Sequence, residues 1–444
     1  MRLIRPRVVK LAVFAVAFAL TPARAQQPAQ MTLAEIERMA LQNNPTLAQA
    51  EAAIRAAQGR RRQAGMFPNP IVGYQGEEFA FRAFNEKSKH SFFVEQAIPL
   101  GGKLSKSRRV FEQEVVQAET ESAAQKQRVL NTIRILYYEV LGAERRVELR
   151  TELSRIAREA IKTTSELLNV GQADRPDFLE SEMEAQRVEL ELVNAQNDRE
   201  QIWRLLASVV GMPAMEPARL AGDLEANLPK LDQQTLMATL LSESPEIRSA
   251  RAEAERARAV LARAKAERVP DLFLRGSIGH SNEPLESAGP SIRKTGPEAS
   301  VEIGVTLPLF NRNQGGIAAA EAELVVAERD LQRVELALRM RLTQAFRDYN
   351  TAANAVERYK QIILPRAARA HELYLASFKQ MSASYPQVLI SQRTLFQVRE
   401  DYLNALVALH QNAIRIEGFL LTGALDGPHI RSSENGFIKE QNNE

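Results

Sequence analysis

The sequence predicts a mainly α-helical chain with a small β part, built as a helix-strand-strand-helix unit that occurs twice. Three observations carry this. Two stretches, Leu104 to Asn169 and Gln314 to Lys379, read as helices several times longer than those of ordinary globular domains. Four short stretches read as strands, and the last of them alternates apolar and polar residues with a period of two, the mark of a half-buried strand. Residues about 200 positions apart match in order: Leu41 with Leu241, Pro45 with Pro245 and Leu47 with Ile247. Later the offset is about 210, pairing Ala173 with Ala383, Pro176 with Pro386 and Leu179 with Leu389. Alanine matches in alanine-rich helices weigh little; the prolines and the shared order of elements weigh more.

In chain order, Met1 to Ala25 reads as a signal peptide. Arg2, Arg5, Arg7 and Lys10 precede an apolar run from Leu11 to Leu20, and Ala23-Arg24-Ala25 is a small-x-small cleavage signal. The run is too short to span a bilayer. A first structural repeat is expected over 26–222. Its first helix runs from about Thr32, with Glu35 at the capping-box position, to Ala64, where Phe67-Pro68-Asn69-Pro70 breaks it. Strands near 70–81 and 91–99 follow, then the first long helix, a turn and a further helix. The linker 212–230 leads into a second repeat, 223–425, with a helix over 233–268 and strands over 271–280 and 298–308. Its long helix, 314–379, is expected to kink or break at Pro365. The last helix, about 387–421, carries Val388/Leu389, Leu395/Phe396 and Tyr402/Leu403, the seven-residue recurrence that coiled-coil packing needs. A polar C-terminal tail, 426–444, is expected to be disordered.

Charge narrows the partners. The signal segment holds five of the 58 basic residues and no acidic one, leaving 53 Lys and Arg against 55 Asp and Glu. The pI of about 9.0 therefore belongs to the precursor, and it is no argument for nucleic acid. With no cysteine there is no disulfide framework, thiolate metal site, cysteine nucleophile or lipidated N-terminal Cys.

The strands decide more. From Ala299 to Leu307 the odd positions are Ala299, Val301, Ile303, Val305 and Leu307; the even ones are Ser300, Glu302, Gly304 and Thr306. A strand in a soluble sandwich fits this pattern, and so does a transmembrane barrel with a lipid face and a lumen face. Phe92, Val94 and Ile98 share a face with Gln96; Leu272, Leu274 and Ile278 line another strand. Four strands cannot close a barrel, and an open edge in lipid leaves backbone groups unpaired. On the membrane reading the chain must oligomerise: two copies give a filled barrel, three a wider one with an aqueous lumen.

The order of these elements, IPLGGK after the second strand, LPLFNRNQGG after the fourth, and NVGQADRPDFLESEMEAQ and SYPQVLISQRTLFQ after the long helices carry a resemblance. The chain resembles the TolC-type outer-membrane efflux factors, and GGK with PLFNRNQG is most similar to the CzcC/CusC-like heavy-metal branch. The resemblance implies a homotrimer whose twelve-stranded outer-membrane β-barrel continues into a long α-helical periplasmic barrel. It implies a passive duct that docks to a periplasmic adaptor (membrane fusion) protein and an inner-membrane RND pump, with outer-membrane lipid around it and no cofactor. A type I secretion or drug-efflux duct of the same architecture, and a soluble periplasmic coiled-coil scaffold, are the alternatives; no nucleophile-base constellation points to an enzyme.

The resemblance also implies a periplasmic gate at the turns after the long helices, with Asp177 at the position of a constricting aspartate. Read from the residues alone, Asp174 is a helix cap, Pro176 an early helical residue and Asp177 a first-turn acid favoured by the helix dipole. The matching position in the second repeat is Gln387, and Ala383 stands where some family members carry a lock-forming arginine. Val170 and Gly171 match a tip that contacts the adaptor, with Gln380 and Met381 opposite; an ordinary C-cap at Gly171 is the other reading. Pro99, Gly101 and Gly102, and Pro308, Gly315 and Gly316, read as swivels where strand becomes helix. His90, His280, His371, His410 and His429 have no metal-ligand spacing, so no metal site is expected.

Overall fold

The computed structural model describes residues 30–78, 88–171, 174–285, 293–380, 382 and 384–428. Residues 1–29 and 429–444, which take in the expected signal segment and most of the expected tail, lie outside these. Helices α1 (Leu33–Asn43) and α2 (Pro45–Ala64) lead into β1 (Ile71–Glu77) and β2 (Lys89–Ile98). Helix α3 (Lys103–Asn169) and helix α4 (Arg175–Val210) follow. The same order then recurs as α5 (Gln233–Glu243), α6 (Pro245–Ala266), β3 (Leu272–Leu285), β4 (Arg293–Val305), α7 (Gln314–Arg358), α8 (Leu364–Lys379) and α9 (Tyr385–Glu417).

The helix expected over 32–64 is two helices. Thr32 and Glu35 form the reciprocal capping box that starts α1. Asn44 is extended (φ −69°, ψ 120°) and caps α2 by accepting from the Thr46 amide at 2.9 Å. Pro45 has no N–H to give and its ring would collide with the carbonyl one turn back, so it starts a helix instead of continuing one. Ser244 and Pro245 divide α5 from α6 at the matching place, without a side-chain cap bond from Ser244, so the helix expected over 233–268 is also two.

Helix α3 has 67 residues and extends about 100 Å at 1.5 Å per residue. Its counterpart is interrupted by a π-helical turn, Tyr359–Ile363, just before Pro365 in the first turn of α8. A π turn absorbs the amide that proline lacks by widening the ring by one residue, so the helix passes Pro365 without ending.

The main core lies where α1, α3, α4, α5, α7 and α9 meet. Ile36, Ile133, Trp203, Leu206, Leu342, Phe346 and Ile416 are buried there. Trp203 buries its ring and donates Nε1–H to the Met215 carbonyl at 3.0 Å; Tyr349 donates to the Pro229 carbonyl at 2.8 Å. These bonds pin the linker between the repeats to the helices. On α9, Val388, Leu389, Leu395, Phe396, Tyr402 and Leu403 are all buried, the face that the seven-residue recurrence predicts.

The described strands make one antiparallel sheet in the order β1-β2-β3-β4, so the two hairpins lie side by side and β1 and β4 are its edges. Register lines up Val72 with Val94, Tyr74 with Phe92, and Phe92 with Ile278. It also lines up Leu274 with Ile303 and Gly276 with Val301. Strands β3 and β4 reach farther than expected, to Leu285 and from Arg293, and β2 begins at Lys89. Pairing stops at Leu272 with Val305, three residues before Pro308, because β3 offers nothing beyond Leu272, which follows Pro270 and Asp271.

Candidate functional site

One sheet face is apolar and open. Val72, Phe92, Ile278, Val301 and Ile303 stand between 67% and 74% exposed, with Tyr74, Val94 and Val305 beside them. Water does not favour a row of bare β-branched and aromatic side chains of this size, so the face requires an apolar covering. Among the described residues no helix is long and apolar enough to cross a membrane.

The opposite face is polar. Register sets Glu95, Arg275 and Glu302 side by side, and Ser277 bonds Ser300 across β3 and β4 at 2.7 Å. Arg275 bonds Gln75 and lies over the Phe93 ring, 4.0 Å from its centre. Phe93 and Phe273 share this polar face. Each ring lies over the glycine directly opposite, Gly73 and Gly304, and fills the place of its missing side chain. Alternation alone did not mark these two rings, because their role depends on register.

At the first strand-to-helix junction Pro99 follows β2, and Gly101 (φ 68°) and Gly102 (φ 70°) are left-handed, with Gly102 at the start of α3. Gly101 has no room for a side chain against Val269. At the second junction the left-handed residue is Asn313 (φ 55°), whose Nδ2 donates to the Ala264 carbonyl at 3.0 Å. Gly315 and Gly316 instead sit in the first turn of α7 with ordinary helical backbone. Asparagine takes the left-handed conformation more easily than other side-chain-bearing residues, which is why the turn does not need the later glycines.

At the other end of the long helices, Val170 closes α3 and is 68% exposed, and Gly171 (φ 73°) follows it. Asp174 caps α4 by accepting from the Asp177 amide at 3.0 Å, which places Asp177 in the first turn, half-buried. Ser384 and Gln387 form the corresponding capping box on α9, and Gln380 closes α8. Met381 and Ala383 lie outside the described residues.

Just inside these turns an ion network joins α3, α4 and α9. Arg150 reaches Glu191 and Glu400, both at 2.5 Å; Arg158 pairs with Glu189 at 2.6 Å. Arg393 holds Glu184 through two bonds. No sequence pattern announced these pairs, since their members are up to 250 residues apart. His371 meets Ser391 at 3.1 Å, while His410 is buried and stacks on Tyr138 with ring centres 4.2 Å apart. Among the described residues no group of three or more His, Asp or Glu could hold a metal ion; His429 lies outside them.

A polar-lined sheet with an apolar outer face, set at one end of helices about 100 Å long, defines the class of outer-membrane channels with a large periplasmic helical portion. The chain belongs to the outer membrane efflux protein family, whose model matches residues 37–212 and 236–420. The cobalt-zinc-cadmium resistance protein CzcC of Cupriavidus metallidurans is 26% identical over 392 residues, covering 88% of this chain and 90% of that one. Outer membrane protein TolC of Vibrio cholerae is 22% identical over 397 residues, covering 84% and 86%. Among solved structures, CusC superposes with a TM-score of 0.75 at 17% identity, covering 89% of this chain and 93% of that one. VceC of Vibrio cholerae gives 0.71 at 20% identity, covering 88% and 96%.

Proposed function

We propose that three copies of this chain close a twelve-stranded barrel in the outer membrane, and that the assembly is a passive exit duct for a tripartite efflux system. The observation that carries this is the sheet: its apolar face is bare and both of its edges, β1 and β4, are open. Edges cannot stay unpaired in lipid, and pairing β4 of one copy with β1 of the next satisfies them all. On this reading Val301, Ile303 and Val305 meet lipid and Glu302 faces the lumen. Residues 26–222 and 223–425 act as two repeats behind a cleaved segment, 1–25.

The proposed cargo is heavy-metal cations, delivered by an RND-type pump through a periplasmic adaptor that meets Val170, Gly171, Gln380 and Met381. Support comes from the name of the CzcC relative, which spans nearly the whole chain. The polar inner face and its Glu95 and Glu302 suit passage of hydrated cations. Drug efflux or type I secretion uses the same architecture, and a deletion strain separates them. Sensitivity to cobalt, zinc or cadmium salts without sensitivity to drugs supports metal export; the reverse pattern rejects it. For the barrel, Ile303→Asp should deplete heat-modifiable trimer from the outer-membrane fraction, because a charge on the lipid face is destabilising near the midplane. Glu302→Gln should leave trimer recovery unchanged, and equal recovery of both variants sinks the assignment of faces.

A further inference from the structure

The four helix ends beneath the sheet are tied together within a band about 14 Å deep, the length of α3 from Lys103 to Glu112. Arg61 of α2 meets Glu112 of α3 at 3.3 Å. Lys103 of α3 meets Asp271, just past α6, at 2.9 Å, and Asn313 before α7 holds the α6 carbonyl of Ala264 at 3.0 Å. Around this level the chain is basic. Arg62, Arg109, Arg268 and Arg312 are exposed, and none makes an ion pair with a carboxylate among the described residues. The neighbouring acids are already engaged: Glu112 by Arg61 and Arg108, Glu267 and Asp271 by Lys103.

Helix stability accounts for only part of this charge. Arg62 suits the C-terminal end of α2, where a cation meets the negative pole of the helix. Arg312 sits just before the start of α7, the positive pole, where helix electrostatics favours acids and the first turn holds none. Lys106 is held by the Gly101 carbonyl at 2.8 Å, while Arg109 lies in the second turn of α3, where the dipole gives it no support. Exposed guanidinium groups without a carboxylate partner call for an anion from outside the chain.

Directly above the basic level stand bare apolar side chains that belong to no strand: Phe67 at 65%, Leu309 at 63% and Phe310 at 92% exposed. From strand to helix the order along the chain is therefore apolar sheet face, aromatic and aliphatic wedge, arginines. A phospholipid leaflet has the same order of chain, interface and phosphate.

We infer that Arg62, Arg109, Arg268 and Arg312 form a collar that binds the anionic phosphate headgroups of the inner leaflet of the outer membrane, with Phe67, Leu309 and Phe310 inserted just above them. The collar rests on the barrel reading proposed above. It fixes the depth of the barrel in the bilayer and gives the channel a preference for anionic lipid.

The test is native mass spectrometry of the assembled protein extracted with an equimolar mixture of phosphatidylglycerol and phosphatidylcholine. Wild-type protein should retain phosphatidylglycerol in roughly tenfold preference, since each surface cation contributes to anionic-lipid attraction. The fourfold variant Arg62→Gln, Arg109→Gln, Arg268→Gln, Arg312→Gln should approach parity while remaining assembled. The four single variants, which perturb assembly least, should each lower the preference part of the way. Equal retention of both lipids by wild type overturns the collar, as does an unchanged preference in the variants. A wild-type chain missing from the outer-membrane fraction overturns the barrel reading and the collar with it.

Discussion

Arg393 of α9 grips Glu184 of α4 with two parallel bonds, Nε to Oε1 at 2.9 Å and Nη2 to Oε2 at 2.5 Å. The glutamate side chain is only 10% exposed, the arginine side chain 41%. Bidentate geometry makes this a stronger link than the surface pairs on the same helices.

Arg393→Ala therefore leaves a nearly buried carboxylate without its partner. The expected loss is about 1–3 kcal/mol, below the cost for a fully buried pair because water reaches the arginine side. Thermal unfolding of the single variants and of Glu184→Gln with Arg393→Gln checks this. The double variant should lose clearly less than the sum of the singles; simple additivity removes the coupling.

Gly304 faces Phe273, whose ring occupies the volume a methyl group would need. Gly304→Ala should weaken the β3-β4 pairing by about 1–3 kcal/mol, the range for overpacking. Adding Phe273→Ala should restore much of the loss, read as the temperature at which the assembly dissociates. Gly73, with its would-be Cβ 2.6 Å from the Phe93 ring, should behave alike.

His410 should give the fold an acid sensitivity. Burial pushes its pKa below 6.5, and a bond from Nε2 to the Leu224 carbonyl at 2.9 Å opposes this in part. His371 is lowered too, first by burial and then by Arg399. A depressed folded pKa means that the stability contribution is whole above 6.5. It is lost as pH falls from there through the folded value. Unfolding temperatures at pH 7.5 and 5.0 should therefore drop for wild type, and His410→Gln should flatten the drop. Identical slopes would count against the assignment.

Asp174 and Asp177 are separable. Asp174→Ala removes the cap of α4 and should cost about 0.5–2 kcal/mol of stability. Asp177→Ala should cost under about 1 kcal/mol but raise single-channel conductance and weaken block by divalent cations in planar bilayers. Unchanged conductance and block would leave Asp177 as a first-turn acid only.

These cases mark how far the sequence could be read. The Thr32/Glu35 box, the apolar face of β4 and the disturbance at Pro365 were legible because each is a local pattern with one physical cause. The Asn44-Pro45 and Ser244-Pro245 breaks were written just as locally, as a cap followed by proline. They were hidden because a single residue separates the helices on either side, with no loop between them. Asn313 was overlooked beside two conspicuous glycines, since left-handed asparagine leaves no compositional mark. Phe93, Phe273, Arg393 and the arginines around Arg150 depend on neighbours brought in from distant chain, and no window of sequence contains them.

The open edges of the sheet also bear on how such a protein is made. In the trimer proposed above, no copy can finish its backbone pairing until its siblings arrive, so insertion and assembly become a single concentration-dependent event. One defective copy then spoils two sound ones. A variant blocked at β1 or β4 should be dominant when co-expressed, the yield of intact channels falling as the cube of the wild-type fraction.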